Sequence, residues 1–125
     1  MSSKRKLSHY DDAGVARMVD VSAKSPTKRT AQAHAFVKMQ PSVIAQLPSN
    51  PKGNPLEIAR VAGIIAAKKT SDLIPLCHPL PLSHADVEVS QEAAGIRIIA
   101  TASTTAQTGV EMEALTAAEI GRAHV

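Results

Sequence analysis

Three prolines within seven residues, Pro75, Pro79 and Pro81, constrain this chain more than any other feature. Each fixes its own φ and drives the residue before it toward extended backbone, so Ile74, His78 and Leu80 are expected to be extended. The run 73–83, Leu-Ile-Pro-Leu-Cys-His-Pro-Leu-Pro-Leu-Ser, can therefore be the middle of neither a helix nor a central strand. Its apolar residues Leu73, Ile74, Leu76, Leu80 and Leu82 still favour burial. The run reads as a rigid, internally packed connection that presents Cys77 and His78 at a fixed place, and a rigid loop holding a titratable group is a natural seat for chemistry.

Two readings stay open for each of those residues. His78 is either an acid-base group or phosphate contact, with a pKa near the working pH, or a core histidine bonded to backbone. Cys77 is either a nucleophile or metal ligand, or a buried filler. It is the only cysteine of the chain, which excludes an internal disulfide and points to a reducing, cytoplasmic compartment. With no second cysteine at ligand spacing, no metal site is expected.

A chain of 125 residues that is 44% hydrophobic is expected to form one domain. Tyr10 and Phe36 are its only aromatics, so the core must be built from Ala, Val, Ile and Leu, and nucleobases find no stacking platform. The net charge of +3 is modest and scattered, which suits a small anionic ligand better than a nucleic acid. The longest uncharged apolar run, 61–67, is too short to span a bilayer, and no apolar segment follows the basic residues 2–6; neither a membrane partner nor a signal peptide is expected.

Along the chain, residues 1–14 read as a flexible arm. Residues 16–23 alternate like a strand, 24–29 form a turn around Pro26, and 30–39 form a half-buried strand antiparallel to the first, with Ala31, Ala33, Ala35, Val37 and Met39 on one side. A short helix is expected over 41–47. Asn54 is placed as the N-cap and Pro55 as the first residue of the main helix, roughly 55–69, apolar on most faces and so a candidate for subunit contact. Residues 85–89 and 95–102 read as strands, 101–108 as a small polar stretch, and 110–118 as a last helix.

Lys52 stands just ahead of the main helix, where orphan N–H groups and the helix dipole favour an anion, so it reads as a phosphate grip or as a solvated loop lysine. Lys28 and Arg29, in the expected turn, could add a second clamp. Glu111 and Glu113 would share a face in extended backbone but point to nearly opposite faces on a helix, where they also suit the first turn.

Four blocks carry a resemblance: Met-Val-Asp-Val-Ser-Ala-Lys at 18–24, Ala-Gly-Ile at 62–64 with Ala-Ala-Lys at 66–68, Asp-Leu-Ile-Pro-Leu-Cys-His-Pro-Leu at 72–80, and Gly-Val-Glu-Met-Glu-Ala-Leu-Thr-Ala at 109–117. In this order they resemble the cyclic pyranopterin monophosphate synthases of molybdenum cofactor biosynthesis, over about residues 10–118. The resemblance implies an α+β, ferredoxin-like fold, an antiparallel sheet with helices packed on one face. It implies a homohexamer built as a trimer of dimers, with the site at the dimer interface. The implied lyase reaction converts (8S)-3',8-cyclo-7,8-dihydroguanosine 5'-triphosphate to cyclic pyranopterin monophosphate, releasing pyrophosphate. Leu76, Cys77 and His78 match one substrate-binding block and Met112 with Glu113 another, while Lys52, Arg29 and Glu111 match further polar residues of the pocket; His78, Lys52, Glu111 and Glu113 are the catalytic candidates. No cofactor is implied, although a magnesium ion suits a triphosphate.

The chain departs from this pattern at 119–125, Glu-Ile-Gly-Arg-Ala-His-Val. We read 15–118 as the synthase domain, incomplete at its C-terminal end, and 119–125 as a tail foreign to the family, of the kind an adapter sequence encodes, with Gly121 expected to interrupt the helix. The aspartate and lysine that the resemblance makes the acid-base pair lie beyond this point in the family, so the chain as written is expected to bind without converting. Two other classes compete with an active enzyme: an inactive fragment of the same fold, separable by turnover, and a small anion- or nucleotide-binding module, separable by nucleic-acid filter binding.

Overall fold

The computed structural model describes residues 8–49 and 51–125. Its frame is a three-stranded antiparallel sheet in the order β1-β3-β2, with β1 at Thr27–Lys38, β2 at Leu82–Glu92 and β3 at Gly95–Ala106. The central strand explains its own place: Ile96, Ile98, Ala100 and Ala102 alternate with Arg97, Ile99 and Thr101, so every second side chain goes into the core. Register follows from that pattern, with Ala33 opposite Ala100 on one side and Val87 opposite Ala100 on the other. Phe36, which breaks the alanine alternation of β1, lies on the opposite side of the sheet with the Arg97 guanidinium 5.1 Å from its ring centre.

Two longer helices cover the inward face. Helix α2, Pro55–Lys68, starts at Asn54, whose side chain accepts from the Leu56 amide at 3.0 Å, and at Pro55, which needs no partner for a missing N–H. Helix α4, Glu111–Ala123, packs on β1, β3 and α2. The two helices meet through small residues. A Cβ at Gly63 would come 2.9 Å from the Ala117 carbonyl and 2.9 Å from the Val87 side chain, and one at Gly121 would come 3.3 Å from the Ala59 carbonyl. Those pairings make the helices antiparallel, and this close approach fills a core without aromatic residues. The short helices α1, Pro41–Ile44, and α3, Thr70–Leu73, flank α2. The architecture is the expected α+β, ferredoxin-like one.

Several local expectations need correction. Residues 16–23 form no strand beyond a single bridge between Tyr10 and Ala16, and the partner of β1 is β3. Alternation there marks only two half-buried valines, Val19 and Val21, in an extended segment. Strand β1 starts at Thr27, so Lys28 and Arg29 belong to the strand, not to a turn. The short helix stops at Ile44, and Pro48 sits inside a 3-10 turn, Leu47–Ser49. Strand β3 runs on to Ala106, because its small polar residues Ser103 and Thr104 are buried between neighbours. Leu73 is exposed rather than packed, and α4 passes through Gly121, whose missing side chain is what lets Ala59 approach. Part of the expected N-terminal arm, residues 1–7, and Asn50 lie outside the described residues.

Candidate functional site

The proline-rich run leaves α3, turns with the Cys77 amide bonded to the Ile74 carbonyl at 3.1 Å, and stays extended into β2. Its path crosses the start of α4, and between them opens a cavity of about 690 Å³. Ile74, Pro75, Leu76, Cys77, His78 and Leu80 form one wall; Thr108, Gly109, Glu111 and Met112 form another; His9, Tyr10 and Ala16 complete it. Thus two blocks separated in sequence by the whole of β2 and β3 are brought to one space.

Helical geometry separates the two glutamates as expected of residues two apart. Glu113 turns inward and is 3% exposed; its Oε2 accepts from the Cys77 thiol at 3.6 Å, while its Oε1 has no hydrogen-bond partner among the described residues. Glu111 stays at the surface of the cavity, its carboxylate lying against Gly109 where a Cβ would stand. Burial holds the Glu113 carboxyl above the usual glutamate range. The Cys77 thiol is pushed up to about 11, first by burial and then by the Glu113 carboxylate beside it. Cys77 is therefore a neutral donor near pH 7 and not a thiolate nucleophile.

His78 reaches across 59 residues of sequence: its Nε2 lies 2.5 Å from the Val19 carbonyl oxygen. Asp20 follows directly, with its carboxylate accepting from the Ser22 amide at 2.9 Å. The site is thus lined mainly by apolar groups, with two histidines, His9 and His78, the Cys77 thiol and the Glu111 carboxylate among them, and the buried Glu113 behind the thiol. Such a lining suits a ligand with a heterocyclic body and hydrogen-bonding edges.

The profile of the MoaC family matches residues 18–125. The chain belongs to the MoaC family. The match runs through 119–125, the stretch that the sequence reading set apart. Among similar proteins, a cyclic pyranopterin monophosphate synthase of Corynebacterium glutamicum (strain R) is 55% identical over 114 residues, covering 90% of this chain and 73% of the relative. The synthase of that name from Deinococcus radiodurans is 52% identical over 122 residues, 96% of this chain and 72% of its own. The one from Chloroflexus aggregans is 56% identical over 119 residues, 92% and 72%.

In this MoaC-family chain Leu76, Cys77, His78, Glu111 and Met112 line one cavity, and Glu113 stands directly behind Cys77. Arg29 and Lys52 do not line it. Arg29 lies on β1 with its Nε donating to the Ala106 carbonyl at 3.2 Å, at the end of β3 that leads into Thr108. Lys52 precedes α2 in a turn that Gly53 makes with φ +109°. Because α2 and α4 are antiparallel, that end of α2 lies beside the C-terminal part of α4, a helix length of about 20 Å from Glu111. Lys52, read from the sequence as a phosphate grip or a solvated loop lysine, thus lies outside the cavity lining of its own protomer. The structure adds His9, Tyr10, Ala16 and the Val19 carbonyl, which sequence reasoning missed; the last is a backbone group that any residue would supply.

Proposed function

We propose that this chain acts as a cyclic pyranopterin monophosphate synthase, and that the cavity between the proline-rich run and α4 receives the pterin-forming part of (8S)-3',8-cyclo-7,8-dihydroguanosine 5'-triphosphate. The observation that carries the reading is Glu113: a buried carboxylate with one oxygen on Cys77 and the other unpartnered among the described residues, directly behind the Cys77 wall of an apolar cavity. Such a group costs free energy unless a donor completes it, and the amino and ring N–H groups of a guanine-derived heterocycle are donors of the right kind. His78 is the group that moves a proton, Cys77 a neutral donor that orients Glu113, and Glu111 a carboxylate at the cavity surface. Arg29 and Lys52 remain phosphate ligands in this reading, with Lys52 reaching the cavity of a neighbouring protomer.

The same reading includes a cytoplasmic homohexamer of three dimers and the release of pyrophosphate. Ile58, Val61 and Ile65 support oligomerisation: they leave an apolar stripe 43–50% exposed on the outer side of α2. No helix among the described residues is long and apolar enough to cross a membrane. No group of three His, Cys, Asp or Glu among the described residues could hold a metal ion, so a magnesium ion arriving with the substrate keeps the triphosphate as its main ligand. Calorimetric titration tests the reading. The cyclised triphosphate should bind at micromolar or lower concentration while DNA and RNA are not retained; retention of nucleic acid without triphosphate binding would favour the anion-binding module.

A further inference from the structure

The segment ahead of β1 is held far more firmly than an extended chain with one bridge requires. Asp11 is its hub: Oδ1 accepts from the Ala13 and Val15 amides at 3.0 and 2.9 Å, and Oδ2 accepts from Arg17 Nε at 2.8 Å. The Asp11 amide donates to the Val15 carbonyl at 3.0 Å and the Arg17 amide to the His9 carbonyl at 2.6 Å. Downstream, Asp20 fixes the Ser22 amide. The backbone of Val19 is thus anchored on both sides, and its carbonyl meets His78 Nε2 at 2.5 Å. A carbonyl oxygen can only accept, so the proton of that bond belongs to Nε2.

We infer that residues 9–22 form a positioning strap, whose Val19 carbonyl holds His78 as the Nε2–H tautomer and leaves Nδ1 as the nitrogen that takes and returns a proton. A neutral imidazole has one donor and one acceptor nitrogen, and fixing one role fixes the other. A proton leaving the substrate goes to the Nδ1 lone pair; the ring becomes imidazolium while Nε2–H stays on the carbonyl, whose partial negative charge stabilises the cation. Return of the Nδ1 proton to a later position on the substrate restores the starting tautomer. The same strap contributes His9, Tyr10 and Ala16 to the cavity wall, so closing the cavity and setting the tautomer are one structural event. The functional part of this inference rests on the proposed role of His78; the tautomer itself does not.

The test is ¹H–¹⁵N correlation across the histidine rings in protein labelled with ¹⁵N-histidine, with His78 assigned by its loss in His78→Gln and read on the alkaline plateau of its titration. His78 should show one tautomer, Nε2–H, with a ring proton exchanging slowly with water. Asp11→Ala, which removes the hub of an exposed strap, should return His78 to the tautomer mixture of free imidazole and speed that exchange at least tenfold. An Nδ1–H tautomer in the wild type, or a mixture that Asp11→Ala leaves unchanged, would overturn the strap. A single Nε2–H tautomer together with unchanged triphosphate affinity in His78→Gln would instead remove His78 from the substrate site and leave the strap standing.

Discussion

The thiol of Cys77 donates to Oε2 of Glu113 across 3.6 Å, joining the proline-rich run to the first turn of the last helix. Each residue sets the other's chemistry. The carboxylate helps keep the thiol protonated, and the thiol satisfies one oxygen of an acid that is 3% exposed, leaving the second oxygen for another donor.

Burial raises the Glu113 carboxyl, so the folded protein holds that proton to higher pH than the unfolded chain does. The linked stability is therefore full below the ordinary glutamate range and is lost as pH rises through the raised value. Urea midpoints should fall over that interval in the wild type, and Glu113→Gln should flatten the fall. Equal pH slopes for the two proteins would contradict the burial of a charged carboxylate.

The raised Cys77 value makes a kinetic prediction. At pH 8 a thiol with a value of about 11, against an ordinary 9.0, is thiolate about a hundredfold less often, and alkylation follows the thiolate. Iodoacetamide should modify native Cys77 about a hundredfold more slowly than the urea-unfolded chain, and Glu113→Gln should narrow the gap. Equal native and unfolded rates would show an ordinary thiol.

Gly63 sits where α2 and α4 touch backbone to backbone. Gly63→Ala adds a Cβ 2.9 Å from the Ala117 carbonyl and from Val87, neither of which can turn aside, and overpacking of this kind costs about 1–3 kcal/mol. The usual gain of alanine over glycine in a helix, about 1 kcal/mol, does not offset it. Thermal unfolding should show a lower midpoint; a raised one would mean that the helices can separate without loss.

The bare stripe on α2 predicts self-association. Val61→Asp places a charge at its centre without touching the buried side of the helix, and should shift sedimentation toward smaller species while far-ultraviolet circular dichroism stays the same. A wild-type protein that sediments as a monomer at all concentrations would remove the argument.

What the sequence disclosed and what it withheld divide along physical lines. Alternation in β1 and β3, the Asn54-Pro55 helix start and the extended proline run were legible because each is a local backbone effect. The misread strand at 16–23 had the same alternation, but its half-buried face packs beside His78 instead of under a sheet. Gly121 looked like a helix breaker because its cost is local, whereas its reason is a carbonyl on another helix. At the site, the nearness of Cys77 to Glu113 could be anticipated only through family resemblance, and the Val19 carbonyl not at all, since a backbone acceptor leaves no mark in side-chain types.

If the cyclised triphosphate occupies the cavity walled by Cys77, the single cysteine of the chain reports it directly. Maleimide labelling at pH 9 should be followed with and without the cyclised triphosphate at a concentration that calorimetry shows to be saturating. Bound substrate should slow labelling of Cys77 at least tenfold, and excess inorganic pyrophosphate, which lacks the heterocycle, should not. An unchanged labelling rate on a protein shown to be saturated would place the substrate outside this cavity.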